Sequence, residues 1–276
     1  MPVIEGTATV LARKAFRDSD WIVTLFCREQ GLVSALARGA RASRRRFAGT
    51  LSPFVVSTVQ MQTRPGRDLS TLTTATLEKS YAALAGDVIS YAHGSHGIEI
   101  AKGLLAPEQP AVEVFDLLVD LFDRLVCVGP SPFVLRSFET RILGALGLTP
   151  VFGKCCGCQA GLGEEEQARL VVRRTGLLCE ACARKEMGGL VLGYRARRLL
   201  LAAQRCTDFK SIGPEVDALP EVRVAARKAS LALIQGHLGR PLRSIEFMRS
   251  LVKTHGIPEA GVGSENDKAS SSLRAE

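Results

Sequence analysis

Four of the eight cysteines are spaced to hold one ion. Cys155 and Cys158 form one C-x-x-C pair, and Cys179 and Cys182 form another, with 20 residues between the pairs. Two residues between cysteines let a tight turn aim both sulfurs at a single metal, with Zn–S bonds of ~2.3 Å. Two such turns joined by a hairpin complete a tetrahedron, which is the spacing of a four-cysteine zinc ribbon or knuckle. With all four places taken by thiolates there is none for a catalytic water, so the expected ion is one structural zinc. Cys156 lies inside the first pair and could replace Cys155 through a C-x-C spacing. That spacing is the less common zinc arrangement, so Cys155 is retained. A redox dithiol would need one pair at a strand-to-helix junction, not two facing pairs. Cys27, Cys127 and Cys206 lie in apolar contexts that suit core positions.

The second chemical cluster is basic. Residues 38–46 read RGARASRRR, placing Arg38, Arg41, Arg44, Arg45 and Arg46 among Gly, Ala and Ser only. Such a loop has little to bury and is expected to project into solvent. Each guanidinium can fork onto a phosphate, and mutual repulsion makes an anionic partner favourable. Lys14 and Arg17 add charge in the first inter-strand loop. The pattern predicts a phosphate-backbone site for nucleic acid. Aromatics are 5% of the chain, and core packing accounts for Trp21, Phe26, Phe47 and Phe54 at least as well as base stacking does. Binding is therefore expected to be largely independent of sequence and steeply dependent on salt.

Other chemistries have no footing. There is no Walker A loop, no G-x-G-x-x-G after a strand, no H-E-x-x-H and no G-x-S-x-G. His93 and His96 lie three apart with no third ligand nearby in sequence, so packing or a surface role explains them. The closed four-cysteine site also speaks against a metal-dependent hydrolase or nuclease. No enzymatic activity is expected.

The elements that must hold these groups divide the 276 residues in two. Stretches 7–13, 21–27, 32–37, 54–63 and 69–77 are rich in β-branched residues or alternate with period two. Residues 64–68 (RPGRD) make a turn. Five short strands in this length fit a small closed barrel such as an OB-fold, with an SH3-like barrel giving a similar pattern. Beyond residue 80 the period becomes helical. Phe115, Leu118, Phe122 and Leu125 lie on one face of 111–127, opposite Glu113, Asp116, Asp120 and Asp123. Ser131-Pro132 starts a further helix that Gly147 ends. Others are expected at 194–206, 221–237 and 242–253. The fold class is thus α+β: a barrel over 1–80, a helical domain over 81–258 with the zinc-binding insert at 151–190, and a disordered polar tail at 259–276. The net charge of +8 resolves into +6 on residues 1–80, −4 on 81–150, +1 on 151–190, +7 on 191–258 and −2 on 259–276. No apolar run is long enough to span a membrane, and the N-terminus lacks a signal-peptide layout, so a cytoplasmic protein is expected. Structural disulfides are not.

These pieces, in order, resemble the bacterial recombination mediator and DNA repair family RecO over roughly residues 5–255. The resemblance rests on the strand, turn and arginine-loop sequence from Ala8 to Phe54, including Arg38-Gly39-Ala40-Arg41 and Leu51-Ser52-Pro53-Phe54. It continues through LGLTP at 146–150 followed by the two cysteine pairs, and HLGRPLRS at 237–244. It implies an N-terminal OB-fold, a helical domain with a zinc insert, DNA-contacting residues at 38–46, and zinc on Cys155, Cys158, Cys179 and Cys182. It also implies binding of single- and double-stranded DNA, annealing of complementary strands, and work with the RecR partner to load RecA onto DNA coated by single-strand-binding protein, in the cytoplasm at the nucleoid. Two departures touch the metal turn: Gln159 stands where the family usually has glycine, and Cys156 is an extra thiol. The family's helical domain binds the acidic C-terminal tail of single-strand-binding protein, and Tyr194, Arg195, Arg197 and Arg198 are the candidate contacts here. An OB-fold RNA-binding or ribosome-associated zinc protein is the alternative, because the residues alone do not separate DNA from RNA.

Overall fold

The computed structural model describes residues 3–43, 45–63, 69–186, 188–210 and 219–255. Arg44, the expected turn at 64–68 and the expected tail at 259–276 lie outside the described residues.

Five strands, β1 (Val3–Phe16), β2 (Asp20–Cys27), β3 (Gly31–Ala37), β4 (Val55–Gln62) and β5 (Ser70–Ser80), close into a barrel in the order β1-β2-β3-β5-β4. β1 pairs with both β2 and β4, and a register shift between Val10 and Ala12 bends it from one partner to the other. The barrel closes through a short parallel pairing, Ala35 with Ser70 through Ala37 with Leu72. This is the arrangement of an OB-fold. Alternation sends Val23, Leu25, Ala35, Val59, Met61 and Leu72 inward, all buried. The expected strand at 69–77 is longer than its pattern, because β5 carries a polar end (Glu78, Lys79, Ser80) that still pairs with β4.

Helices α1 (Val88–Leu104), α2 (Val112–Cys127) and α3 (Pro132–Ala145) follow. Asp87 caps α1 by accepting from the N–H groups of Ile89 and Ser90, and Ser131 caps α3 with Pro132 in its first turn. Next come β6 (Ala168–Val171), β7 (Gly176–Leu178), the short α4 (Glu180–Ala183) and β8 (Leu190–Leu192), forming a small sheet in the order β7-β6-β8. Three helices complete the described chain: α5 (Tyr194–Arg205), α6 (Pro220–Leu238) and α7 (Arg243–His255).

Besides the barrel's own interior, a second and larger apolar core joins Leu11, Phe26, Phe54 and Val56 to the helices. Phe26 meets Phe115 of α2 at 5.3 Å, and Phe54 lies between Tyr91 of α1 at 5.3 Å and Phe122 of α2 at 5.4 Å, all edge-on. The acidic face of α2 turns toward the barrel at its edge. Arg28 forks onto Asp116 with both bonds at 2.8 Å, and Lys79 reaches Asp123 at 2.5 Å. Gly31 fixes how close the two parts come. It has φ +76°, and a Cβ there would sit 2.0 Å from the Gln109 carbonyl oxygen, beside the Glu108 N–H to Leu32 O bond of 3.0 Å. Gly31→Ala therefore combines left-handed backbone strain with a backbone clash. It should lower the stability of unfolding by at least about 2 kcal/mol. A urea titration giving a midpoint equal to wild type would contradict this packing.

Candidate nucleic-acid interface and metal centre

The arginine loop leaves β3 and returns to β4, and it is tied down at both ends. Phe47 and Leu51 are 3% and 5% exposed and belong to the barrel core. Both lie just past the 38–46 run, and they anchor the chain as it returns to β4, in keeping with the core packing expected of Phe47. Arg46 donates to the Arg38 carbonyl at 2.9 Å and lies 5.1 Å from the Phe47 ring, while Asp20 accepts from the Gly39 N–H at 2.8 Å. The guanidiniums themselves stay outside, with Arg38, Arg41, Arg45 and Arg46 all exposed.

The turn between β1 and β2 meets this loop. Arg41 donates from its N–H to the Ser19 carbonyl and from its guanidinium to the Asp18 carbonyl, both at 2.9 Å. Arg17, in that turn, and Lys14, near the end of β1, are exposed. Sequence reading missed Arg13. It pairs with Val23 across β1 and β2, donates to the Leu51 carbonyl at 3.1 Å and lies 5.2 Å from the Trp21 ring. Arg41 lies 5.8 Å from the same ring. Trp21, half-buried, therefore sits between two guanidiniums at the edge of the basic surface. No local pattern marked Arg13, because only the register that sets Ala15 opposite Trp21 brings it to the ring. Phe26 and Phe54, like Phe47, are core residues.

The second site is the sulfur cluster. The Sγ atoms of Cys155, Cys158, Cys179 and Cys182 lie within 4.8 Å of one another, and those of Cys158 and Cys179 are 3.8 Å apart. A tetrahedron of ~2.3 Å bonds has edges of about 3.8 Å, so the four residues fit a metal ion. The first turn is formed by the N–H groups of Gly157 and Cys158, which approach Cys155 Sγ at 3.3 and 3.5 Å. Burial pushes the Cys155 thiol up, but these donors and the Cys179 N–H outweigh it and bring it down to about 6. Hydrogen bonding to the sulfurs of Cys179, Cys158 and Cys155 drives Cys182 up to about 12. Metal binding requires all four sulfurs as thiolates, so it releases protons and its affinity rises with pH. Gln159 has φ +64°, a left-handed conformation that favours glycine.

Cys156 is not one of the four. Its N–H donates to the Leu177 carbonyl at 2.7 Å, and its Cβ packs where Gly176 has no side chain. The expected hairpin is β6 and β7, with a third strand, β8, that the pattern did not reveal. The module's own buried cluster is small, namely Cys155, Val171, Leu178, Cys179 and Ala183, so a metal would supply what its apolar core does not. Arg197 joins it to the helices. It is 4% exposed and donates to the carbonyls of Gly163 and Glu166 at 2.6 and 2.9 Å. As one of the four side chains expected to meet an acidic peptide, Arg197 is corrected: its guanidinium is turned inward. Tyr194 is half-buried, with its hydroxyl on Glu164 at 2.6 Å, while Arg195 and Arg198 are exposed.

His93 and His96 are both buried, 2% and 0% exposed. His96 bridges Ser244 and Glu139, each at 2.8 Å, and Arg136 also binds Glu139. Burial depresses His93 to about 3, and His96 and Arg136 add to the effect. This network joins α1, α3 and α7 inside the core, and no residue pattern announced it.

Two family models match the chain: the N-terminal region of recombination protein O over residues 1–81, and its C-terminal region over 85–246. DNA repair protein RecO of Anaeromyxobacter dehalogenans strain 2CP-C is 37% identical over 248 residues, covering 90% of this chain and 96% of that protein. DNA repair protein RecO of Geobacter sulfurreducens is 35% identical over 251 residues, covering 91% and 99%. That of Desulforamulus reducens is 27% identical over 255 residues, covering 92% and 97%.

The sulfur geometry makes a specific prediction. Purified protein should carry about one equivalent of a thiophilic divalent metal. Cys156→Ser should keep it, and Cys155→Ser should lose most of it. Elemental analysis in which Cys156→Ser loses the metal and Cys155→Ser retains it would reverse the ligand assignment.

Proposed function

This chain belongs to the RecO family of DNA repair proteins, and from that premise we propose that it is a recombination mediator whose barrel binds the phosphate backbone of single- and double-stranded DNA. The observation that carries the reading is the convergence of exposed cations on one edge of the barrel. Arg17 comes from one turn, Arg38, Arg41, Arg45 and Arg46 from the neighbouring loop, and Arg13 from the strand between Trp21 and Leu51. Arg44 and Lys14 belong to the same proposed surface. Its chemistry is charge neutralisation. Two strands repel each other, and guanidiniums that replace condensed counterions lower the cost of bringing them together. No bond is made or broken, so the proposed role is not enzymatic.

The metal is proposed to be one structural zinc, because four thiolates in a tetrahedron suit that ion and leave no open position. It would fix the module that Arg197 clamps to α5. The proposed partners are RecR and the acidic tail of single-strand-binding protein, which docks on the helical part. Through them the protein would help load RecA on coated DNA, in the cytoplasm at the nucleoid. No described helix is long and apolar enough to cross a membrane. RNA is the rival ligand, since a backbone site reads phosphates in either polymer, and relative affinity for single-stranded DNA and structured RNA separates the two.

The direct test is annealing of complementary strands coated with single-strand-binding protein. Changing Arg44, Arg45 and Arg46 together to Ala should slow annealing tenfold or more at physiological salt. It should also flatten the slope of log affinity against log salt by about 2 for single-stranded DNA. Wild-type rates and slope in that variant would remove the loop from the proposed site.

A further inference from the structure

We propose that α5 carries a second phosphate-backbone site, formed by Arg195, Arg198 and Arg205, which holds a second nucleic-acid strand while the barrel holds the first. The inference rests on the reading of the barrel as a nucleic-acid site and extends it, because a protein that pairs two strands needs somewhere to hold each.

Positions 195, 198, 202 and 205 fall within about 80° of arc and along about 15 Å of helix. Arginine occupies three of them and Ala202 the fourth, and all four are exposed. The opposite face is the one that packs: Ala196, Leu199, Leu200 and Ala203 are buried against the rest of the helical core. The arginine row is therefore not a by-product of burial.

Nor do the cations serve the fold in any visible way. Arg195 and Arg205 have no hydrogen-bond or ion-pair partner among the described residues, whereas Arg197, one step round the helix, has its carbonyl clamp. Among the described residues, Arg198 meets only the Tyr194 hydroxyl at 3.4 Å and its ring at 5.7 Å. Arg195 stands in the first turn, where the positive end of the helix dipole disfavours a cation and favours an anion beside it. Glu164, the carboxylate at that end, is engaged by the Tyr194 hydroxyl.

The shape of the row decides which anion. A peptide tail ending in carboxylates beside hydrophobic side chains needs an apolar pocket next to a cation. The row has Ala202 at its middle, and α5 contributes none of the large exposed apolar side chains. A line of three guanidiniums around one small residue matches a repeating charge laid along the helix, which is what a phosphodiester backbone offers. The acidic face of α2 is engaged by Arg28 and Lys79 of the barrel and by Lys210 beyond α5, none of which belongs to the α5 row.

The test uses full-length, metal-loaded protein and two labelled, non-complementary single strands. The first measurement is affinity for one strand. The second is capture of the other strand by protein already saturated with the first, read as energy transfer between the labels. Changing Arg195, Arg198 and Arg205 together to Ala should leave first-strand affinity within about threefold and cut second-strand capture tenfold or more. It should also flatten the salt dependence of capture by about 2 in log–log slope. The matching Lys variant, which keeps the charge, should retain most of the capture, and thermal melting of both variants should match wild type. Capture by the Ala variant equal to wild type would overturn the second site. So would an unchanged capture accompanied by lost binding of a synthetic acidic tail peptide, which would give the row to a protein partner. Failure of wild type to bind even one strand would instead sink the barrel reading from which this one proceeds.

Discussion

Arginines crowded into a short loop repel one another, and the surface they form depends on holding the backbone still against that repulsion. Phe47 and Leu51 do this from one end by entering the barrel core, with the Thr50 N–H on the Phe47 carbonyl closing the turn between them. From the other end, Arg41 fastens the loop to the β1–β2 turn, and Asp20 accepts from Gly39. Several of these bonds are made by the arginines to backbone carbonyls, so part of each cation is engaged in place while its charge still faces water. An anchored loop loses little further entropy when a phosphate chain is laid across it, which is the advantage of preorganisation in binding. A loop free at both ends would present the same charge with no fixed geometry.

The remaining parts divide along the same electrostatic line. The acidic helix α2 would repel nucleic acid, and it meets the barrel where Arg28 and Lys79 neutralise Asp116 and Asp123. Its carboxylates thus contribute to joining barrel and helices and lie against cations that do not belong to the arginine loop. The aromatic contacts of Phe26 and Phe54 supply the apolar part of the same junction. On the far part of the chain, the four-sulfur module docks through Arg197 on α5 and through Val172, which packs where Gly236 of α6 has no side chain. The metal would hold the module's shape, and the helices hold its position.

Much of this was legible in the sequence, because local spacing carries it. Period-two alternation marked the five strands, the two C-x-x-C pairs marked the sulfur cluster, and the arginine run marked the loop. What stayed hidden depends on contacts between residues far apart in the chain. Arg13 gains meaning only when the register of β1 and β2 sets it beside Trp21. Arg197 and Arg198 look alike in a row of basic residues, yet one step of about 100° round the helix sends the first to buried carbonyls and the second to solvent. His96 meets Ser244, 148 positions away, which no local pattern encodes. Phe47 was ambiguous for the same reason: an aromatic after an arginine run fits either a stacking platform or an anchor, and only the closed barrel distinguishes them.

The central claim is that nucleic acid lies on the barrel beside the arginine loop, and the chain carries its own reporter there. Trp21 is the single tryptophan and sits between Arg13 and Arg41. Titration of the metal-loaded protein with single-stranded DNA at low salt should change its emission saturably, because phosphates draw both guanidiniums away from the ring. Added salt should reverse the change in step with the loss of binding. DNA that binds, by an independent measure such as anisotropy of a labelled strand, while Trp21 emission stays constant throughout would place the strand elsewhere and contradict the account.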